Sequence, residues 1–379
     1  MWRSSGWPVY RLIGIDNEGT VDYRTVRGRN LSVYRALDRH AQIVDRFTPK
    51  PTRWAQCANY ALSFRPHPRH WKGVANLNPR TFRAQSALAR KRLQARRSEF
   101  DVALQIFGMF SVAGLGFPVA LYLDNTMALT LRHYPQWNPM SRRERQEWLR
   151  LETAAYQEAD VIFTMSEAVR RSVTDDYGIA AAKVLTVGAG TNFTLGGPAK
   201  PDYSQQTALF VAYEFGRNGG DVLLEAWRQV RAALPGARLQ IVGPRQRVVP
   251  PGTPGVEWHG PVKDRERLQG LFRDATLFVL PSLFNPFPHV LREAMSMGLP
   301  CVSTAHAAIP EIVTDGVSGS LVPVGDAAAL AGALIALLSE PELARQYGQA
   351  GREAVSMAMS WDQVGAAMAP GLAALAARP

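Results

Sequence analysis

Asp124, Asn285 and Glu293 are side chains able to bind or polarise a hydroxylated or charged ligand; Asp124 and Asn285 follow runs that read as buried strands, and Glu293 lies in the helix after the second of these. Asp and Glu offer only acceptor oxygens at neutral pH, whereas Asn offers a donor and an acceptor without charge. A carboxylate at a strand end can also stabilise a developing cation. Asn285 and Glu293 fall within Ala275–Asp326, ATLFVLPSLFNPFPHVLREAMSMGLPCVSTAHAAIPEIVTDGVSGSLVPVGD. There Thr276–Pro281 reads as a strand, Asn285-Pro286 as a loop, and a helix is expected from Pro288 as its first residue. Gly298 and Pro300 stop that helix, and Cys301–Thr304 reads as the next strand. Strand, loop, helix, strand is the rhythm of a doubly wound parallel sheet. Its loops at the carboxyl ends of strands are where such sheets hold ligands, and helix N-termini favour anions.

The elements that would position these residues alternate along the whole chain. Val9–Asp16 and Gln42–Phe47 read as strands, with a loop at 17–28 and a helix near 30–39 between them. The loop is not a G-x-G-x-x-G fingerprint, so dinucleotide binding is not indicated. Thr52–Lys72 shows no period and is expected to be loop. Val102–Leu123 is uncharged and long enough to span a bilayer, but Gly108, Gly114, Gly116 and Pro118 divide it into two buried strands. Asp124 or Asn125 would cap the helix that follows. Ser141-x-x-Glu144 opens a strong helix to Glu158, with Trp148, Leu149, Leu151, Ala155 and Tyr156 facing inward. After strands at 160–165 and 183–187, a Gly/Pro-rich polar linker at 196–206 precedes a second alternation of strands and helices. The division expected is 1–200, with 361–379 packing back on it, and 201–360.

The 379 residues are too many for one small core, and 46% hydrophobic with 20% charged residues is ordinary for a globular chain. Cys57 and Cys301 lie in apolar sequence and are expected as buried free thiols. The N-terminus lacks the pattern of a signal peptide, so a cytoplasmic protein is expected, without a transmembrane helix. The net charge is +11, with much of the excess in 79–99, PRTFRAQSALARKRLQARRSE. That segment reads either as a peripheral contact with anionic lipid at the inner membrane face, or for a phosphorylated ligand, or as a solvated connector. No nucleic-acid motif is present. No Asp-x-Asp or His cluster suggests a metal, and no cofactor is expected.

Pro281-Ser282, Glu293-Ala294-Met295, Gly298-Leu299-Pro300, Ile309-Pro310-Glu311 and Asp315-Gly316 resemble the signature of GT-B retaining glycosyltransferases of family 4. The resemblance implies an α/β fold of two Rossmann-like domains facing each other across a cleft, acceptor-side first and donor-side second. It implies a hexosyltransferase-type enzyme using a nucleotide-sugar donor and a sugar, lipid-linked or small-molecule acceptor. Glu293 would bind ribose hydroxyls, and Asp124 and Asn285 would stand at the reacting sugar. Tyr213, Arg217, Asn218, Gly219, Arg245, Lys263, Phe287, His289 and Val290 would surround the donor. Arg24 and Arg27 would lie on the acceptor side. Three positions depart from the family pattern: Tyr213 replaces its Arg, Asn218 its Lys and Asn285 its first Glu. The departures leave two readings open, a transferase with a rewired donor site and a non-catalytic GT-B subunit supporting a partner glycosyltransferase.

Overall fold

The computed structural model describes residues 10–16, 32–191, 202–358 and 360–378. These divide into two units, one within Met1–Gly190 plus Trp361–Pro379, the other within Thr191–Ser360.

The first unit holds a six-stranded, all-parallel sheet in the order β2-β1-β3-β4-β5-β6. The strands are β1 (Arg11–Ile15), β2 (Gln42–Phe47), β3 (Val102–Ile106), β4 (Val119–Leu123), β5 (Val161–Thr164) and β6 (Val184–Thr186). Every residue of β3, β4 and β5 is buried, as the continuous apolar runs require of strands covered on both faces. Between β1 and β2, residues 32–37 form helix α1.

The stretch expected to be loop, Thr52–Lys72, folds instead as α2 (Arg53–Leu62) and most of α3 (Pro68–Asn76). Thr52 accepts from the Ala55 N–H as the α2 cap, and Pro68 starts α3 without losing a needed donor. The helical spacing of Trp54, Cys57, Ala58, Ala61 and Leu62 went unrecognised, and no residue of α2 is buried. Cys57 is accordingly exposed rather than buried; Cys301 is buried.

The basic segment is α4 (Pro79–Ala95), capped by Asn78 and followed by a short 3-10 turn at Arg97–Glu99. Its arginines are spent largely on the unit itself: Arg83 pairs with Glu147, Arg90 with Glu158, and Arg92 and Arg96 with Asp45. Those pairs remove the reason to read α4 as a free cationic surface.

Helices α5 (Met127–His133), α6 (Arg142–Glu158) and α7 (Glu167–Arg171) complete the alternation. Ser141 and Glu144 form the capping box of α6, and Trp148 meets Phe82 of α4 edge-on at 5.3 Å. The inner face of α6 is Trp148, Glu152, Ala155 and Tyr156; Leu149 and Leu151 are only half-buried.

The second unit holds another six-stranded parallel sheet, in the order β12-β11-β10-β7-β8-β9. Its strands are β7 (Thr207–Val211), β8 (Arg238–Val242), β9 (Val256–Gly260), β10 (Leu277–Leu280), β11 (Cys301–Thr304) and β12 (Gly319–Val322). Its helices are α8 (Gly220–Ala233), α9 (Arg265–Arg273), α10 (His289–Ser296), α11 (Ile309–Ile312), α12 (Ala327–Ser339) and α13 (Pro341–Ala358). The edge strand β12 was not expected, being four residues long with its middle half-exposed. The chain reverses direction across the sheet between β7 and β10, which makes the loops after these two strands the topological switch point.

The last helix, α14 (Trp361–Ala376), belongs to the first unit. Gly190 makes room for it: a Cβ there would lie 2.2 Å from Trp361 Cγ. Arg378 pairs with Asp160 at 2.6 Å beyond the helix end. No single helix among the described residues is long and apolar enough to cross a membrane.

Candidate functional site

The switch point of the second unit is built by three consecutive residues after β7, each clamped to the loop after β10. Arg217 Nη1 donates to the Phe284 carbonyl at 2.7 Å, and the Leu283 N–H donates to the Arg217 carbonyl at 3.0 Å. Asn218 is 4% exposed. Its Oδ1 accepts from Asn285 Nδ2 at 3.2 Å and from Ser282 Oγ at 3.3 Å, while its Nδ2 donates to the Glu214 carbonyl at 2.8 Å. Gly219 has φ +76°, and a Cβ there would sit 1.7 Å from the Pro281 carbonyl oxygen. Only glycine permits that approach. From the other side, Thr304 Oγ1 donates to the Ser282 carbonyl at 2.8 Å.

Of the residues expected to surround a donor, Asn218, Asn285, Arg217 and Gly219 are thus brought together. Arg217, however, is a structural tie: its guanidinium is held between Glu214 and the Phe284 carbonyl. The Gly219 and Gly220 N–H groups donate to Gly216 and Phe215 carbonyls.

Tyr213 and Arg245 leave the carboxyl ends of neighbouring strands β7 and β8 and meet: the Arg245 guanidinium carbon lies 6.0 Å from the Tyr213 ring centre. Tyr213 is 46% exposed and Arg245 exposed, so the pair presents a flat ring and a cation to solvent. Lys263 is exposed past β9, on the far edge of the sheet.

Helix α10 begins at His289; Pro288 is its N-cap rather than its first residue. The half-exposed positions of α10 are His289, Val290, Glu293 and Ser296. They recur at i, i+1, i+4 and i+7 and so share one face, which puts three of the expected residues together. Phe287 is buried between the His289 ring, 5.0 Å away, and the Arg292 guanidinium, 5.7 Å away. Glu311 of the Ile309-Pro310-Glu311 motif is exposed.

In the first unit, Asp124 follows β4 and is half-buried. The cap of α5 is not Asp124 or Asn125 but Thr126, whose Oγ1 accepts from the Leu129 N–H at 3.1 Å. Thr126 also shares a hydrogen bond with Ser172. Beneath that turn lies a group that pattern reading missed. Glu152 is buried and accepts from Tyr156 O–H at 2.9 Å, from Tyr177 O–H, and from the Met127 N–H at 3.2 Å. Tyr177 O–H in turn accepts from the Ala128 N–H at 3.0 Å. Burial pushes the Glu152 carboxyl up to about 7 despite these donors. The Tyr156 phenol is raised, first by burial and then by the charge of Glu152, with Asp124 a lesser contributor. The signal was available: Glu152 sits four residues from both Trp148 and Tyr156, on the face that α6 buries.

A pocket lined by Asp16, Arg46, Phe47, Thr48 and Lys50 opens at the carboxyl ends of β1 and β2. Arg24 and Arg27 lie outside the described residues. Among the described residues no group of His, Cys, Asp or Glu could hold a metal ion.

Comparison with known proteins places these features. Residues 205–340 match the model of the family described as glycosyl transferases group 1. Alpha-maltose-1-phosphate synthase of Mycobacterium tuberculosis is 38% identical over 116 residues, 28% of this chain and 29% of that protein. The match thus spans less than a third of that relative's length. MMP alpha-(1->4)-mannosyltransferase of Mycolicibacterium hassiacum is 24% identical over 304 residues, 76% of this chain and 73% of that one. Among solved structures, Anabaena HepE in complex with UDP and glucose superposes with a TM-score of 0.66 at 16% identity, over 96% of this chain and 99% of that chain. The fold is GT-B: two Rossmann-like domains.

Proposed function

We propose that this chain, a GT-B protein of the glycosyl transferases group 1 family, is a retaining glycosyltransferase. It would move a sugar from a nucleotide-sugar donor to a saccharide, lipid-linked or natural-product acceptor. The observation that carries the reading is the convergence at one switch point of a clamped loop pair, 217–219 with 281–285, and the α10 face bearing Glu293. Open parallel sheets bind ligands at that place. The relative named for UDP and glucose in its crystal shares the fold.

In this reading the Glu293 carboxylate accepts from the two ribose hydroxyls. Its position five residues into α10 lets one side chain reach a vicinal diol while the helix start faces the diphosphate. Diphosphate charge needs a cation, and neither Asn218 nor the engaged Arg217 supplies one. Arg245, held against Tyr213, is the cation assigned to it. No resident metal or cofactor enters the proposal. Asn285 offers its amide to a sugar hydroxyl, and in the first unit Asp124 serves hydroxyls or a developing positive charge at its sheet's carboxyl edge.

The test is turnover with a panel of UDP-, GDP- and dTDP-sugars, followed by release of the nucleotide and by NMR of the product anomer. Release from at least one donor, with its anomeric configuration kept, is the expected result. Inversion overturns the retaining mechanism, and silence across the panel overturns the transferase reading.

The neutral pair Asn218–Asn285 favours a second reading, a non-catalytic subunit that supports a partner transferase. The double variant N218K/N285E separates the two. A gain of activity means a lapsed site, and a loss from an active protein means a rewired one.

A further inference from the structure

Helix α2 is amphipathic the wrong way round for a core helix. Its apolar positions Trp54, Cys57, Ala58, Ala61 and Leu62 recur at i, i+3, i+4, i+7 and i+8, and all are exposed. Trp54 is 87% and Leu62 68% exposed, with Phe64 exposed just beyond. Its polar positions do the anchoring. Asn59 Nδ2 donates to the Ala75 carbonyl and to Thr81 Oγ1, and Asn59 Oδ1 accepts from Asn78 Nδ2 at 3.1 Å. Tyr60 O–H donates to Asn76, and the Tyr60 carbonyl accepts from Trp71 Nε1 at 2.7 Å. The helix is therefore fixed to α3 and α4 by hydrogen bonds, with its hydrophobic stripe turned to solvent.

The charge around the stripe has one sign. From Arg46 to Ser98 the chain carries 13 Lys and Arg and no Asp or Glu. Several of these, in α4, pair with acids elsewhere in the unit, whereas Lys50, Arg53 and Lys72 are exposed around α2. A protein partner would have to offer matching acids at each of these places. An anionic lipid surface offers negative charge everywhere, with apolar depth directly beneath it.

We propose that α2 is a peripheral membrane contact: the stripe Trp54, Cys57, Ala58, Ala61, Leu62 and neighbouring Phe64 enters the headgroup–acyl boundary of an anionic bilayer, while Lys50, Arg53 and Lys72 meet lipid phosphates. The helix lies in the plane of the interface and spans nothing. The contact belongs to the first unit alone and does not depend on the transferase reading.

The two cysteines make the test direct. Cys57 is exposed within the stripe, whereas Cys301 is buried and its thiol raised by burial, so a maleimide carrying an environment-sensitive fluorophore labels Cys57. Labelled protein is mixed with vesicles of equimolar phosphatidylglycerol and phosphatidylcholine, or of phosphatidylcholine alone, and floated on a density gradient. The expected result is a blue shift and co-flotation with the anionic vesicles, at least about tenfold stronger than with the neutral ones and weakened by added salt. Unlabelled W54S/L62S, altered only at exposed positions, floats at least about tenfold less than unlabelled wild type. Three results overturn the proposal: no co-flotation, flotation unchanged in W54S/L62S, or a blue shift that grows with protein concentration in the absence of lipid.

Discussion

Asn285 Nδ2 donates to Asn218 Oδ1 over 3.2 Å, joining the loop after β10 to the loop after β7 across the switch point of the second unit. These are two of the three positions at which the chain departs from the pattern it resembles. The departures are therefore one structural event. An amide answers an amide, and the neighbouring Ser282 hydroxyl points at the same oxygen. A lone charge at either position would face a neutral partner in a buried setting, which is costly. Two amides satisfy each other without charge.

The first prediction follows from that arrangement. Asn218→Ala strands the Asn285 amide and the Ser282 hydroxyl at once, while the Glu214 carbonyl keeps the residue 218 N–H. It should destabilise the protein by about 1–3 kcal/mol, the cost of leaving buried polar groups unpaired. In urea melts, Asn218→Ala and Asn285→Ala should be non-additive by about 0.5 kcal/mol or more. Additivity would mean that the pair does not act as a unit.

Arg217 gives the second. It braces the Phe284 carbonyl and Glu214 with different nitrogens of one planar group, a geometry that Lys cannot reproduce. Arg217→Lys should therefore lose stability and nucleotide affinity nearly as severely as Arg217→Ala, by about 1–3 kcal/mol in urea melts. If Lys restores most of the affinity, the residue is acting as a positive charge on the ligand and not as a brace.

Much of this was legible in the sequence, for reasons visible residue by residue. Fully buried parallel strands write themselves as unbroken apolar runs, so β3, β4 and β10 were expected in the segments where they form. Capping chemistry located α6 through Ser141. Helix α2 was missed although its apolar residues Trp54, Cys57, Ala58, Ala61 and Leu62 stand at helical spacing; what the sequence could not show is that this stripe faces solvent. At the site, residue types named Asn218 and Asn285, but their hydrogen bond depends on two loops 67 residues apart meeting at a switch point. Arg217 was expected beside the donor, and its tie to the Phe284 carbonyl carries no sequence signal. Glu152 was hidden among the ordinary acids of a charged helix.

Glu152 supplies a pH prediction. Its carboxyl rises from the ordinary 4.5 to about 7 in the folded state, chiefly by burial, with Tyr177 and Tyr156 as the titratable groups that hydrogen-bond to it. The folded protein thus holds a proton that the unfolded chain releases above about 4.5. The contribution to stability is fully present below pH 4.5 and is lost as the pH rises through 7. Glu152→Gln cannot release that proton. The difference in unfolding free energy, variant minus wild type, should therefore rise between pH 5 and pH 8, by up to about 3 kcal/mol. A flat difference in urea melts across that range would show that Glu152 is ionised throughout.

The central claim is that the second unit grips a nucleotide diphosphate through the switch-point loops and Glu293. Isothermal titration calorimetry of UDP, GDP and dTDP into the full chain, wild type beside Glu293→Ala, tests it most directly. The account predicts saturable binding of at least one nucleotide, and a loss of about tenfold or more in the variant as the ribose contact disappears, roughly 1.4 kcal/mol. Absence of binding by all three, or an affinity unchanged in Glu293→Ala, would contradict it.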